Sequence, residues 1–166
     1  MKKFLKTIFL ICLSLIMMIP SVAFADEEAA PEWRDVTLSE EKINEILAPY
    51  EVDNTKTRAS GLIVAYAIAI SKDGSDLLIV GKTHCNADVT KCGFTKVTVQ
   101  RKKSTSTSWS TYKTYYDLYS NSVSYVLTKE LTPPSGYQYR VTCTHYAREN
   151  IFSTEKIDNI SNIVTM

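Results

Sequence analysis

From Gly61 onward, apolar and polar residues alternate along the chain with a period of two, which is typical of half-buried β-strands. The segments Gly61–Ser71 and Asp76–Thr83 are separated by a turn containing Asp73-Gly74, a pair that favours a tight hairpin. The alternation continues in five further predicted strands: Phe94–Lys102, Tyr112–Tyr116, Val123–Leu131, Tyr137–Tyr146 and Lys156–Val164. Seven short antiparallel strands with no helical pattern between them predict an all-β fold, a single sandwich of two sheets.

The first 25 residues have the pattern of a secretory signal peptide. Three lysines near the start precede an apolar core, and Ala23-Phe24-Ala25 is a small-x-small cleavage pattern. The apolar run Ile8–Ile19 is shorter than a membrane-spanning helix requires, which argues against a retained anchor. The sequence therefore predicts a signal peptide at 1–25, a secreted, extracellular protein, and no integral membrane span after cleavage.

Charge divides the rest of the chain into two parts. Residues 26–55 contain two basic and ten acidic residues, a formal charge of −8, whereas residues 56–166 contain fourteen basic and eight acidic residues, a charge of +6. We therefore divide the chain into an acidic arm at 26–57 and a β-sandwich domain at 58–166. This asymmetry predicts an arm that folds back on its own body, or a body that meets anionic cell-wall or polysaccharide surfaces; a solvated arm beside an ordinary surface is the alternative.

Within the acidic arm, Thr37-Leu38-Ser39-Glu40 fits a capping box with Thr37 as the N-cap. The apolar residues that follow have helical spacing, and Pro49 ends the pattern. The sequence thus predicts a short amphipathic helix at about residues 38–48. Because so short a helix is marginal by itself, we expect it to dock on the sandwich.

One segment of the body has a recognisable pattern. SYVLTKELTPPSGYQYRVTCTHYA, residues 124–147, resembles the E strand, turn and F strand of fibronectin type III and related immunoglobulin-like sandwiches. The resemblance implies that Tyr139 is the structural corner tyrosine, whose hydroxyl bonds to nearby backbone. The fold is accordingly predicted to be an immunoglobulin- or fibronectin-III-like antiparallel sandwich of about seven strands, preceded by the short helix.

Four segments of the body carry a second resemblance: TRASGLI, KCGF, VQRKKS with Trp109 after it, and GYQYRVTCTHYA. Together they are similar to a family of small exported proteins of Gram-positive bacteria whose function is uncharacterised. The resemblance therefore supplies no activity and no catalytic residue, and it does not extend to the acidic arm.

Cys85, Cys92 and Cys143 are expected at one end of such a sandwich. Export makes oxidation available, so we predict one disulfide and one remaining thiol. A bond between Cys85 and Cys92 would close an eight-residue loop and add about 2 to 3 kcal/mol to the free energy of unfolding. A bond between Cys85 and Cys143 would instead bridge the two sheets, and the alternation of these positions permits both pairings.

His84 and His145 raise the hypothesis of a zinc site beside these cysteines. Zinc takes four nitrogen or sulfur ligands, but the step of seven residues from Cys85 to Cys92 does not fit a Cys-x2-4-Cys knuckle. No metal and no other cofactor is therefore predicted.

The segment RVTCTHYAR is faintly similar to the Thr-Cys strand of sortases. That similarity implies a cysteine transpeptidase that would use Cys143, His84 and Arg148. Against it, Cys143 is predicted to point inward and the body is short for that fold. Other catalytic signatures, such as a nucleophile elbow, a zinc-protease motif or a phosphate-binding glycine loop, do not occur in the sequence. We therefore predict a protein that is not an enzyme.

Aromatic residues are concentrated in the middle of the body. Trp109 lies in the polar segment STSTSWST, and loops often carry binding residues. Together with Tyr112, Tyr116, Lys102 and Lys103 it predicts a surface that binds an anionic cell-wall polymer, a glycan or an extracellular protein, and not nucleic acid. The alternative is a purely structural extracellular domain, in which the tyrosines only pair across strands.

Overall fold

The computed structural model describes residues 32–56 and 61–166. The predicted signal peptide, the start of the acidic arm and the predicted domain boundary at residue 57 lie outside the described residues. Within the described part, the strands are β1 (Arg34–Asp35), β2 (Val52–Asp53), β3 (Ile63–Asp73), β4 (Asp76–Cys85), β5 (Lys91–Lys103), β6 (Ser110–Ser120), β7 (Ser124–Leu131), β8 (Tyr137–Asn150), β9 (Ser153–Ile160) and β10 (Val164–Thr165). The helix α1 (Glu40–Leu47) is followed by short 3-10 turns at Ala48–Tyr50 and Asn54–Lys56. No helix in this part of the chain is long and apolar enough to cross a membrane.

The strands form two antiparallel sheets. Sheet A has the order β1-β7-β4-β3-β2, and sheet B has the order β10-β8-β5-β6. Strand β9 also pairs with β8, on the side where β10 pairs, so the predicted strand Lys156–Val164 is divided between β9 and β10. The predicted all-β class with two antiparallel sheets is confirmed.

The main core lies between the two sheets, where alternate side chains of each sheet meet. Its buried members are Ile68, Ile70, Leu77, Ile79, Phe94, Val97, Val99, Leu127, Leu131, Tyr139, Val141 and Cys143. On β8 the buried positions follow the pleat without interruption from Tyr139 to Ala147. This regular alternation fixes which side chains of sheet B point inward and which point outward.

Helix α1 packs on the outer face of sheet A. Its buried Leu47 lies in one apolar cluster with Ala67 and Ala69 of β3 and with Leu78 and Val80 of β4. Strand β4 is therefore buried on both faces. The helix begins later than predicted: Ser39 is the N-cap, and its side chain accepts a hydrogen bond from Lys42 N at 3.2 Å. The prediction of Thr37 as the N-cap is wrong, because the serine at the third position of the proposed box takes that role.

The first described residues of the arm close one side of the sandwich. Strand β1 pairs with β7 at the edge of sheet A, and Arg34 reaches Glu130 at 2.9 Å and Asp76 at 3.2 Å. Just before β1, the Trp33 ring stacks on Tyr115 of β6, with ring centroids 3.3 Å apart and planes at 4°. Because β6 is the edge of sheet B, this segment joins the neighbouring edges of both sheets.

Tyr139 ties β8 to the turn that precedes it. Its side chain is fully buried, and its hydroxyl donates to the Pro134 carbonyl oxygen at 2.8 Å. Burial raises the pKa of Tyr139 to about 12, so the phenol keeps the proton that this hydrogen bond requires.

Candidate functional site

Cys85 and Cys92 approach each other between the sheets. Cys85 ends β4 in sheet A, and Cys92 is the second residue of β5 in sheet B. Both side chains are buried free thiols, and their sulfur atoms lie 3.0 Å apart. A bond between Cys85 and Cys92 would therefore close the short loop and also join the two sheets. From the sequence alone, loop closure and a bridge between the sheets were two alternative pairings.

The loop between these cysteines is held by backbone hydrogen bonds. Asn86 N donates to Leu62 O at 3.0 Å, and Thr90 N donates to Arg148 O at 2.8 Å. Between them, the buried Val89 packs in one apolar cluster with both cysteines. These contacts fix the end of β4 relative to the start of β5.

Cys143 lies beside His145 in the interior. Thr83 Oγ1 donates to Gly93 O at 3.2 Å and lies 2.8 Å from His145 Nδ1. Since the hydroxyl has a single proton, Nδ1 carries its own proton and donates to Thr83. The other ring nitrogen, Nε2, then accepts from Cys143 Sγ at 3.4 Å and from Asn159 Nδ2 at 3.5 Å.

The electrostatics of these groups favour neutral forms for Cys143 and His145. Burial lowers the pKa of His145 to about 3 and raises the pKa of Cys143 well above its ordinary value. The hydrogen bond from Cys85 to Cys92, together with burial, raises the pKa of Cys85, and the same bond lowers the pKa of Cys92. A cysteine nucleophile needs a thiolate, so the Cys143 environment suits a structural thiol.

The three residues of the sortase-like hypothesis do not lie together. Cys143 lies in the interior between the sheets. His84 is exposed on sheet A, where its backbone is in register with Ser124 of β7. Arg148 lies on sheet B, where its backbone is in register with Lys91 of β5. The histidine beside Cys143 is therefore His145, which that hypothesis did not use. Among residues 32–56 and 61–166, no group of three or more His, Cys, Asp or Glu side chains could hold a metal ion.

The outer face of sheet B carries most of the remaining polar chemistry. On β8, every second side chain is buried, and the side chains between them point outward. The strand register places outward-pointing side chains of β5, β6 and β9 beside them on the same face. Six basic residues share this face: Lys91, Lys96, Lys102, Arg140, Arg148 and Lys156. Its acidic residues Asp158 and Asp117 accept hydrogen bonds from Thr144 and Tyr119. We call this surface the basic face.

Aromatic rings lie among these cations at both ends of the basic face. Arg140 lies 4.3 Å and Lys102 5.1 Å from the ring centre of Trp109. At the other end, Lys91 lies 4.0 Å from the ring centre of Tyr119. Such contacts hold the long basic side chains against the sheet.

The predicted binding-surface residues do not all belong to the basic face. Tyr116 is 62% exposed and lies in register with Lys96, and Lys103 is exposed at the end of β5. Trp109 is half-buried beneath its two cationic neighbours, so it is not the freely exposed ring that the polar loop predicted. Tyr112 instead packs edge-on against Tyr139 in the interior.

The register explains the position of Tyr112. Val99 pairs with Lys113 and the next residue of β5, Gln100, pairs with Thr111, so Tyr112 is an extra residue that forms a bulge in β6. Tyr112 and Tyr115, three residues apart, therefore both face the core, whereas simple alternation would place Tyr112 beside Tyr116. Sequence reasoning also missed Lys96 and Arg140, although their alternation with buried residues on β5 and β8 was a usable signal.

A cleft of about 560 Å³ lies along the β8–β9 ladder of this sheet. Its lining residues are Lys96, Thr142, Cys143, Thr144, Asp158, Asn159 and Ile160.

Comparison of the chain with protein-family models, with curated proteins and with solved structures finds no match.

Proposed function

We propose that this chain is an exported, non-catalytic binding module of the fibronectin-III-like type, and that its basic face binds an anionic cell-wall polymer. The observation that carries the proposal is the gathering of six basic side chains on one outer face of the sandwich. Export rests on the signal-peptide pattern and on the resemblance to exported Gram-positive proteins.

The strand order supports the fibronectin-III-like assignment. Three long strands in sheet A, in the order β7-β4-β3, correspond to the E-B-A sheet of that architecture, and β6-β5-β8-β9 corresponds to C′-C-F-G. The Tyr139 hydroxyl bond to Pro134 is the kind of contact that a corner tyrosine makes.

The spacing of the charges suits a polymer better than a small ligand. Lys91 and Lys102 are eleven residues apart on β5, which corresponds to about 36 Å at a rise of about 3.3 Å per residue. Basic side chains are distributed along this length, with Lys96 and Arg140 between the ends. A chain with a negative charge in each repeat could contact several of them at once.

The acidic arm does not compete for this surface within residues 32–56. Its helix packs on the outer face of sheet A, on the opposite side of the sandwich. The negative charge of helix α1 is therefore separated from the basic face, which residues 32–56 leave open to a polyanion.

Binding to a poly(glycerol phosphate) teichoic acid tests the proposal, with neutral dextran as the control polymer. We expect binding to the phosphodiester polymer that weakens as salt rises, because exposed charges are screened. The double variant Lys96→Gln with Arg140→Gln should weaken binding roughly tenfold to thirtyfold, at about 1 kcal/mol for each charge.

A matched variant removes the same charge from sheet A. Lys72→Gln with Lys82→Gln should leave affinity within about twofold of the parent, since neither residue lies on the basic face. Equal loss in both double variants, or equal binding to dextran, would refute the assignment of the face.

A further inference from the structure

We propose that Cys85 and Cys92 form an oxidation site, at which a disulfide joins sheet A to sheet B while Cys143 stays a thiol. This inference is independent of the binding proposal, since it concerns the interior of the sandwich and not its basic face.

The backbone already holds the two sulfurs in place. Cys85 N donates to Val123 O at 2.8 Å, and Cys92 pairs with Ser120 and Ala147 on its two flanking strands. With both ends fixed, the sulfur atoms are 3.0 Å apart, so only a small side-chain adjustment separates the dithiol from a bond.

The surroundings favour this pair over any pairing with Cys143. Cys85 and Cys92 share an apolar cluster with Ile63 and Val89. Cys143 belongs to the main core, and its sulfur faces His145 Nε2 at 3.4 Å. A bond from either partner to Cys143 would break that contact and draw β8 away from its register.

The chemistry requires an external disulfide, such as oxidised glutathione. The Cys92 thiolate attacks one sulfur of that reagent and releases the first reduced thiol. Cys85 then loses its proton and attacks the Cys92 sulfur of the mixed disulfide, which releases the second thiol. Two chain thiols are oxidised and one external disulfide is reduced. Because both cysteines are buried in the folded protein, we place this exchange before the sandwich closes.

The disulfide would reduce the conformational entropy of the unfolded chain more than that of the folded chain. It closes a loop of eight residues, so the chain-entropy model predicts that oxidation lowers the equilibrium constant for unfolding roughly 60-fold. The midpoint of urea unfolding should rise accordingly.

Refolding with oxidised glutathione tests the site. The full chain carrying Cys12→Ser keeps only Cys85, Cys92 and Cys143. After refolding, the protein is unfolded in the presence of iodoacetamide, digested and analysed by mass spectrometry. We expect one alkylated cysteine, Cys143, and one cross-linked peptide pair containing Cys85 and Cys92. Alkylation of all three thiols, or a cross-link that contains Cys143, would overturn the proposal.

Cys85→Ser in the same background provides the matched control. It should keep two alkylatable thiols, and its unfolding midpoint should not respond to oxidation. If the midpoint of this variant rises as much as that of the parent, the stabilisation does not come from the Cys85–Cys92 bond. Because the parent is also mapped directly, a variant that folds poorly does not decide the outcome.

Discussion

Uptake of a proton by His145 in the unfolded chain should lower the free energy of unfolding in mild acid. Burial lowers the pKa of this histidine from 6.5 to about 3 in the folded state. The unfolded chain therefore binds the proton more tightly, so the stabilisation is complete above about pH 6.5 and is lost as pH falls towards 3. The linkage relation gives a loss of about 3 kcal/mol between pH 7.5 and pH 4 from this group alone.

Urea unfolding across this pH range measures the effect. The parent is compared with His145→Gln, which cannot gain a proton at this position but keeps a side chain able to bond Thr83. All other ionisable side chains are the same in the two proteins, so the difference between the two pH profiles isolates the histidine. We expect the parent to lose about 3 kcal/mol more than His145→Gln over the range.

His84→Gln is the matched control for this experiment. His84 is exposed on sheet A, so His84→Gln removes a histidine without removing a buried one. The reasoning is refuted if His145→Gln and the parent lose stability in parallel, because burial would then not hold the imidazole neutral.

Three further substitutions test the packing. Tyr139→Phe removes the hydroxyl that donates to Pro134 O at 2.8 Å and should lower the free energy of unfolding by about 1 kcal/mol in urea titrations. Leu47→Ala empties the contact between helix α1 and sheet A and should cost about 2 to 4 kcal/mol in the same assay; a change below about 0.5 kcal/mol would mean that the helix does not dock. Gly93→Ala places a Cβ 2.1 Å from Leu118 O at a φ of +152°, so we expect circular dichroism to show loss of the native β signal.

The alternation of side chains predicted most of the strands, because each half-buried strand repeats with the period of the pleat. It predicted the inward positions of Tyr139, Val141 and Cys143 on β8. It also placed Cys85 inward, at the start of the short loop that leads to Cys92. The short loop made a Cys85–Cys92 pair possible, and the bonds from the loop to Leu62 and Arg148 bring the two sulfurs to 3.0 Å.

Contacts between residues far apart in the chain determine the features that the alternation of side chains did not predict. Leu78 and Val80 look like continuations of an apolar run, and only the docked helix explains why they are buried on the outer face. Trp33 had no local signal for its stack on Tyr115, a residue far along the chain. The inward position of Tyr112 depends on a bulge in β6, which alternation alone does not reveal.

Helix α1 on sheet A makes the two outer faces of the sandwich different. One broad side is sealed by α1, and the opposite side presents strands without a covering element from residues 32–56. A module of this shape that settles on a charged surface would lie flat on its bare strands and direct the helix towards solvent. Residues attached to that helical side would then be displayed about a sandwich thickness away from the surface.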